Sequence, residues 1–93
     1  MKVNQSRTFE NRIMKFSRQE KDILDNEIKA IIEDPLIGEE KKGDLRGAFV
    51  HKFKVRTTQH ILSHRMTKNG IELIMIGPHE NYYRDLKRHL KKR

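Results

Sequence analysis

The segment Ile71–Gly77, IELIMIG, constrains the fold more than any other part of the chain, because it is apolar at nearly every position except Glu72. A strand sends alternate side chains to opposite faces, so this one needs cover on both sides, as a central strand does. The cover must come from a short chain. It has 93 residues, 34% of them apolar, with six aromatics, no tryptophan and no cysteine. Neither disulfides nor thiolate metal sites can supplement so small a core. One domain spanning residues 1–93 is expected. No stretch approaches the roughly 20 apolar residues of a membrane helix. The opening MKVNQSRTFENR has no apolar core of a secretory signal, so the chain reads as soluble, cytoplasmic and not membrane-bound.

Before that strand the apolar period is helical. Phe9, Ile13 and Phe16 fall at i, i+4 and i+7, and Leu24, Ile28, Ile31 and Ile32 form a second stripe. Ser17-Arg18-Gln19-Glu20 between them is a capping box, and Asp34-Pro35 stops the second helix. Two helices joined so closely predict an antiparallel pair. Lys2–Gln5 is a short strand candidate, and Pro35–Gly47 reads as a connection with little regular structure. From Ala48 the period becomes two. Phe49, His51, Phe53 and Val55 face one way, and Val50, Lys52, Lys54 and Arg56 the other. QHILSHRMT is a further strand, Lys68-Asn69-Gly70 a hairpin turn, and Tyr83, Leu86 and Leu90 the stripe of a basic C-terminal helix. The expected order is β-α-α-β-β-β-α, an α+β domain with helices on an antiparallel sheet.

Charge is segregated along the chain. Residues 1–46 carry ten Lys/Arg and ten Asp/Glu, whereas residues 47–93 carry eleven against three and all five histidines. A polyanion is therefore a candidate partner, a solvated basic surface the simpler alternative. His60 and His64 in a strand lie ~13 Å apart, too far for one ion, so neither metal nor cofactor is expected. His89, among lysines and arginines, reads as solvated surface. Nucleophile motifs and glycine-rich phosphate loops are absent.

Lys52, Lys54 and Arg56 put cations ~6.6 Å apart on one strand face, close to the spacing of phosphates along an extended nucleic acid. Lysines guarding an edge strand would look the same. His79 follows the apolar strand in a loop held by Gly77 and Pro78, where an imidazole can exchange protons near neutral pH. Tyr83 either reaches that cleft or begins the apolar stripe of its helix. Arg65 either adds a fixed charge or pairs with Glu72. Together these residues are the parts needed for metal-independent RNA cleavage: a base for the 2′-OH, cations for the phosphorane and an acid for the leaving oxygen.

Three segments, ILDNEIKAIIEDP, KGDLRGAFVHKFKV and IELIMIGPHENYYRDLKR, give the chain a resemblance to the RelE/ParE superfamily of bacterial type II toxins over nearly its whole length. The resemblance implies a compact α+β fold, a helix hairpin on a twisted antiparallel sheet, and a cognate antitoxin protein as partner. In the RelE branch it implies mRNA cleavage at the ribosomal A site with a 2′,3′-cyclic phosphate product. Lys52 and Lys54 match that branch's paired strand lysines, His79 its post-strand catalytic position and Tyr83 its nearby aromatic. Ile61 stands where some members carry a charge-stabilising arginine, a role that Arg65 or His64 would then take. The catalytic set so implied is Lys52, Lys54, Arg65, His79 and Tyr83. The RNA-binding set is Lys52, Lys54, Arg56, His60, His64, Arg84, Lys87 and Arg88. The ParE branch implies DNA gyrase as the target instead, and a nucleic-acid-binding member without activity is the third reading.

Overall fold

The computed structural model describes residues 2–91. Five strands form one sheet, β1 (Lys2–Gln5), β2 (Glu39–Glu40), β3 (Phe49–Val55), β4 (Thr58–Met66) and β5 (Gly70–Pro78), in the order β1-β5-β4-β3-β2. Three helices accompany it, α1 (Arg7–Ile13), α2 (Arg18–Glu33) and α3 (Tyr82–Lys91). The apolar segment is thus an inner strand, with β1 on one side and β4 on the other.

The sheet is mixed rather than wholly antiparallel, because β1 pairs with β5 in parallel, Val3 opposite Ile71. The reason is topological. The two helices after β1 carry the chain across the sheet, and the antiparallel steps back from β2 to β5 leave the last strand pointing the same way as the first. Residues 35–47 also hold more structure than expected, the two-residue β2 and one 3₁₀ turn at Gly43–Leu45.

Both helix starts follow from serine. Ser6 Oγ accepts the Phe9 N–H at 3.0 Å and donates to the carbonyl of Ile74. Ser17 and Glu20 form the complete capping box, with bonds of 3.2 and 2.8 Å. α1 ends earlier than its apolar pattern predicts, so Phe16 packs on the core from the link between the helices. In α2 the buried residues are Leu24 and Ile31, while Ile32 faces outward, 39% exposed.

The sheet has a core on each face. Phe9, Leu24, Ile31, Phe53, Leu62, Ile71, Leu73 and Ile76 pack under α1 and α2. Val50, Ile61, Ile74, Met75, Tyr82 and Leu86 pack under α3. A register shift at Ser63/His64 pairs His64 with Leu73 and Ser63 with Met75. Ile74 is the extra residue of this bulge, and it joins Met75 in the α3-side core.

Tyr82 anchors α3. It is 1% exposed, and its hydroxyl lies 2.7 Å from both Ser63 Oγ and the Met75 carbonyl. Burial pushes the phenol pKa well above its ordinary value, so it stays a neutral donor. Tyr82→Phe is expected to destabilise the fold by about 1–3 kcal/mol, the cost of leaving buried polar groups unmatched. Urea unfolding of the variant beside the parent measures it.

Candidate functional site

Strand register decides which sequence-predicted residues share a face. Lys52 pairs with Ile61 and Lys54 with Gln59, and paired side chains lie on the same side of a sheet. Ile61 belongs to the α3-side core, so both lysines lie on that side, beyond the covered part, and both are exposed. The His79 N–H donates to the Gln59 carbonyl at 3.3 Å, which places the post-strand turn beside Lys54. Tyr82 N–H then donates to the His79 carbonyl at 3.2 Å, and Asn81 takes φ +61°, a left-handed value that asparagine tolerates. This tight turn leads directly into α3. The His79 and Tyr83 rings meet edge to face with centroids 6.1 Å apart, His79 exposed and Tyr83 half-buried.

Lys52, Lys54, His79 and Tyr83 therefore border one open face. Lys41, which no local sequence signal marks, joins them, its Nζ 4.9 Å from the Tyr83 ring centroid. Neither Lys52 nor Lys54 makes an ion pair among the described residues. Lys87 is held 2.8 Å from Asp44, whose carboxyl its ammonium keeps below the usual carboxylate range. Arg84, Lys87, Arg88 and Lys91 together line a shallow groove on the outer side of α3.

Four other expected residues are not on this face. Arg65 lies six residues up β4 from Gln59, ~20 Å at strand rise, and its Nε donates to Glu72 at 2.7 Å. His64 is fully buried, stacked on Phe49 with centroids 5.2 Å apart, so it cannot touch RNA. Neither takes the charge-stabilising role left open by Ile61. His60 pairs with Pro78 on the helix-pair side, its ring against Phe16 and Phe53. Arg56 leaves the strand face because the β3–β4 turn puts it at φ +59°, and its Nη2 donates to Gln19 on α2. His89 is not free surface either. Its Nδ1 meets Thr8 Oγ1 at 3.3 Å, docking α3 against α1. Among the described residues no three His, Cys, Asp or Glu side chains are grouped closely enough to hold a metal ion, and no helix is long and apolar enough to cross a membrane.

His64 supplies a pH effect. Its Nε2 lies 2.6 Å from the Pro35 carbonyl, which can only accept, so Nε2 carries the proton and the buried Nδ1 is bare. Burial makes imidazolium unfavourable and lowers the pKa.

A family model described as the ParE-like toxin of type II bacterial toxin–antitoxin systems matches residues 3–87. The chain belongs to this toxin family. No curated protein matches the toxin's sequence. Its fold is that of Escherichia coli RelE. The toxin superposes on free RelE with two arginines replaced by alanine with a TM-score of 0.69 at 14% identity, covering 97% of this chain and 93% of that one. For RelE in the intact RelBE toxin–antitoxin complex the values are 0.66 and 16%, with 84% and 95% covered. For isolated RelE they are 0.64 and 17%, with 92% and 95% covered. The toxin thus has the α+β architecture of RelE, on which its own site residues are set.

As pH falls below about 6.5 the unfolded toxin takes up a proton at His64 that the folded toxin resists, so stability declines with pH there. The urea midpoint is expected to drop between about pH 7.5 and about pH 5.5, and to drop less in His64→Leu. Tyr83→Ala is expected to move the His79 ring proton resonances in NMR spectra, whereas Arg65→Ala leaves them in place.

Proposed function

We propose that this toxin is a ribosome-associated, metal-independent mRNA endoribonuclease of the cytoplasm, held inactive by a cognate antitoxin. One observation carries the reading: Lys52, Lys54 and the His79 turn border one solvent-open face beside Tyr83, with no acid among the described residues paired to either strand lysine. Unpaired like charges destabilise the free protein, and a phosphate lying across them would relieve that repulsion. That RelE was captured in complex with its antitoxin in RelBE supports a protein partner of the same kind for this toxin.

In the reaction the 2′ oxygen of one ribose attacks the adjacent phosphorus, and the bond from phosphorus to the 5′ oxygen breaks. The products are a 2′,3′-cyclic phosphate and a 5′ hydroxyl. Lys52 and Lys54 hold the phosphate and offset the charge gathering on its non-bridging oxygens. His79 exchanges a proton with the reacting oxygens, a role its exposed position at the turn permits. Tyr83, steadied by Lys41 and the His79 ring, offers a face on which an unpaired base can stack. An open face without deep walls suits an enzyme whose substrate is held in place by the ribosome.

The experiment is a map of mRNA 5′ ends after brief induction in cells, beside a His79→Ala control. New ends at fixed positions within codons are expected, and His79→Ala should reduce them about 10²-fold or more, the usual loss when a proton-transfer group is removed. The ParE-like description of the family favours a second reading, a DNA gyrase poison. Growth arrest with DNA breaks and no new mRNA ends would establish that target and remove the ribonuclease. Absence of arrest would leave a nucleic-acid-binding protein without activity.

A further inference from the structure

A cavity of about 500 Å³ opens between α1 and the C-terminal end of β5, within the roughly 300–1,000 Å³ of small-ligand sites. It lies on the helix-pair side of the sheet, across the Gly77–Pro78 backbone from the lysine face. The site described above makes no use of it. Its floor is Ile76 with that backbone, and Phe16 and His60 form an aromatic wall, their centroids 6.0 Å apart. Arg12, Lys15 and Asn11 supply the polar rim, and no carboxylate lines it.

The rim groups differ in what they can still bind. Arg12 donates to the Ile76 carbonyl at 3.2 Å and lies 3.6 Å from Asp85, so it contributes a fixed charge. Lys15 is exposed and has no ion-pair partner among the described residues. His60 Nδ1 lies 3.3 Å from the Thr58 carbonyl, which can only accept, so Nδ1 is the donor there and in the neutral ring Nε2 is the acceptor. Asn11 brings both a donor and an acceptor.

An apolar floor and aromatic wall suit a planar base. An amide and an imidazole acceptor suit the edge of that base and a ribose hydroxyl. Two cations, of which Lys15 has no ion-pair partner among the described residues, suit a phosphate. We propose that this cavity is a nucleotide subsite, taking a base with its phosphate from the RNA strand that continues past the His79 turn. The assignment of the RNA as occupant rests on the ribonuclease reading. His60 thereby contacts RNA from the opposite side of the sheet to Lys52 and Lys54.

The test is NMR titration of the full chain with two probes, adenosine 5′-monophosphate and a 2′-O-methylated single-stranded RNA of about ten nucleotides that cannot be cleaved. The mononucleotide is expected to shift the Phe16, His60 and Gly77 resonances alone. The RNA should shift these together with those of Lys52 and His79. Lys15→Ala, at an exposed position, should weaken RNA binding about tenfold and lower the slope of log affinity against log salt by about 0.7, one phosphate contact. If RNA moves the lysine face and leaves the cavity resonances unmoved, the subsite is wrong and the ribonuclease reading stands. If both probes fill the cavity while no mRNA is cut in cells, the subsite stands and the ribonuclease reading falls. If neither probe moves the cavity but an acidic antitoxin segment protects it, the cavity is a protein-docking site and the inference is overturned.

Discussion

The outer edge of β5 carries the structural burden on which the candidate site depends. β1 is only four residues long and pairs with β5 no further than Leu73, so the carbonyls beyond that point face no strand. Buried backbone acceptors without partners are costly. Here α1 and its N-cap supply them from side chains: Ser6 Oγ donates to Ile74 and Arg12 Nη1 to Ile76. The same arginine reaches Asp85 on α3. One guanidinium therefore ties together the first helix, the strand that ends in the His79 turn and the helix that carries Tyr83. Gly77 belongs to this arrangement, since a Cβ there would sit 2.6 Å from Arg12 Nη1.

Above that support, the two faces of the sheet have different chemistry. On the α3 side the covered core stops at Ile61 and Val50, and lysines continue the pleat into solvent. On the helix-pair side the cover stops at Phe16 and His60, leaving an apolar cavity with a cationic rim. Both features meet at the end of β5, where Gly77 and Pro78 separate them by one thickness of sheet. The cations gathered here come from both halves of the chain, Arg12, Lys15 and Lys41 from the first and Lys52 and Lys54 from the second. An architecture shared with RelE at only 14–17% identity shows that the scaffold depends on the pattern of packing more than on particular side chains.

Much of this was legible in the residues. The capping box at Ser17 and Glu20, the stop at Asp34-Pro35, the alternation from Phe49 to Val55 and the two-faced apolar strand are local patterns, set by rotamer, hydrogen-bond and periodicity rules acting over a few residues. They determined the element order apart from β2, the fold class, and the sharing of one strand face by Lys52 and Lys54. Other features required the assembled chain. The parallel pairing of β1 depends on how many strands turn back before β5. Tyr82, not Tyr83, enters the core because the turn at Asn81 sets the phase of α3, and both phases give an acceptable apolar stripe. His64 and Arg65 looked available, yet a bulge and the Phe49 and Glu72 side chains across the ladder occupy them. The sequence by itself determined which chemical groups this toxin possesses and on which elements they ride, because those depend on neighbours along the chain. Only the tertiary structure decided which of them face one another across the end of β5, because register, bulge and helix docking are settled between residues far apart in sequence.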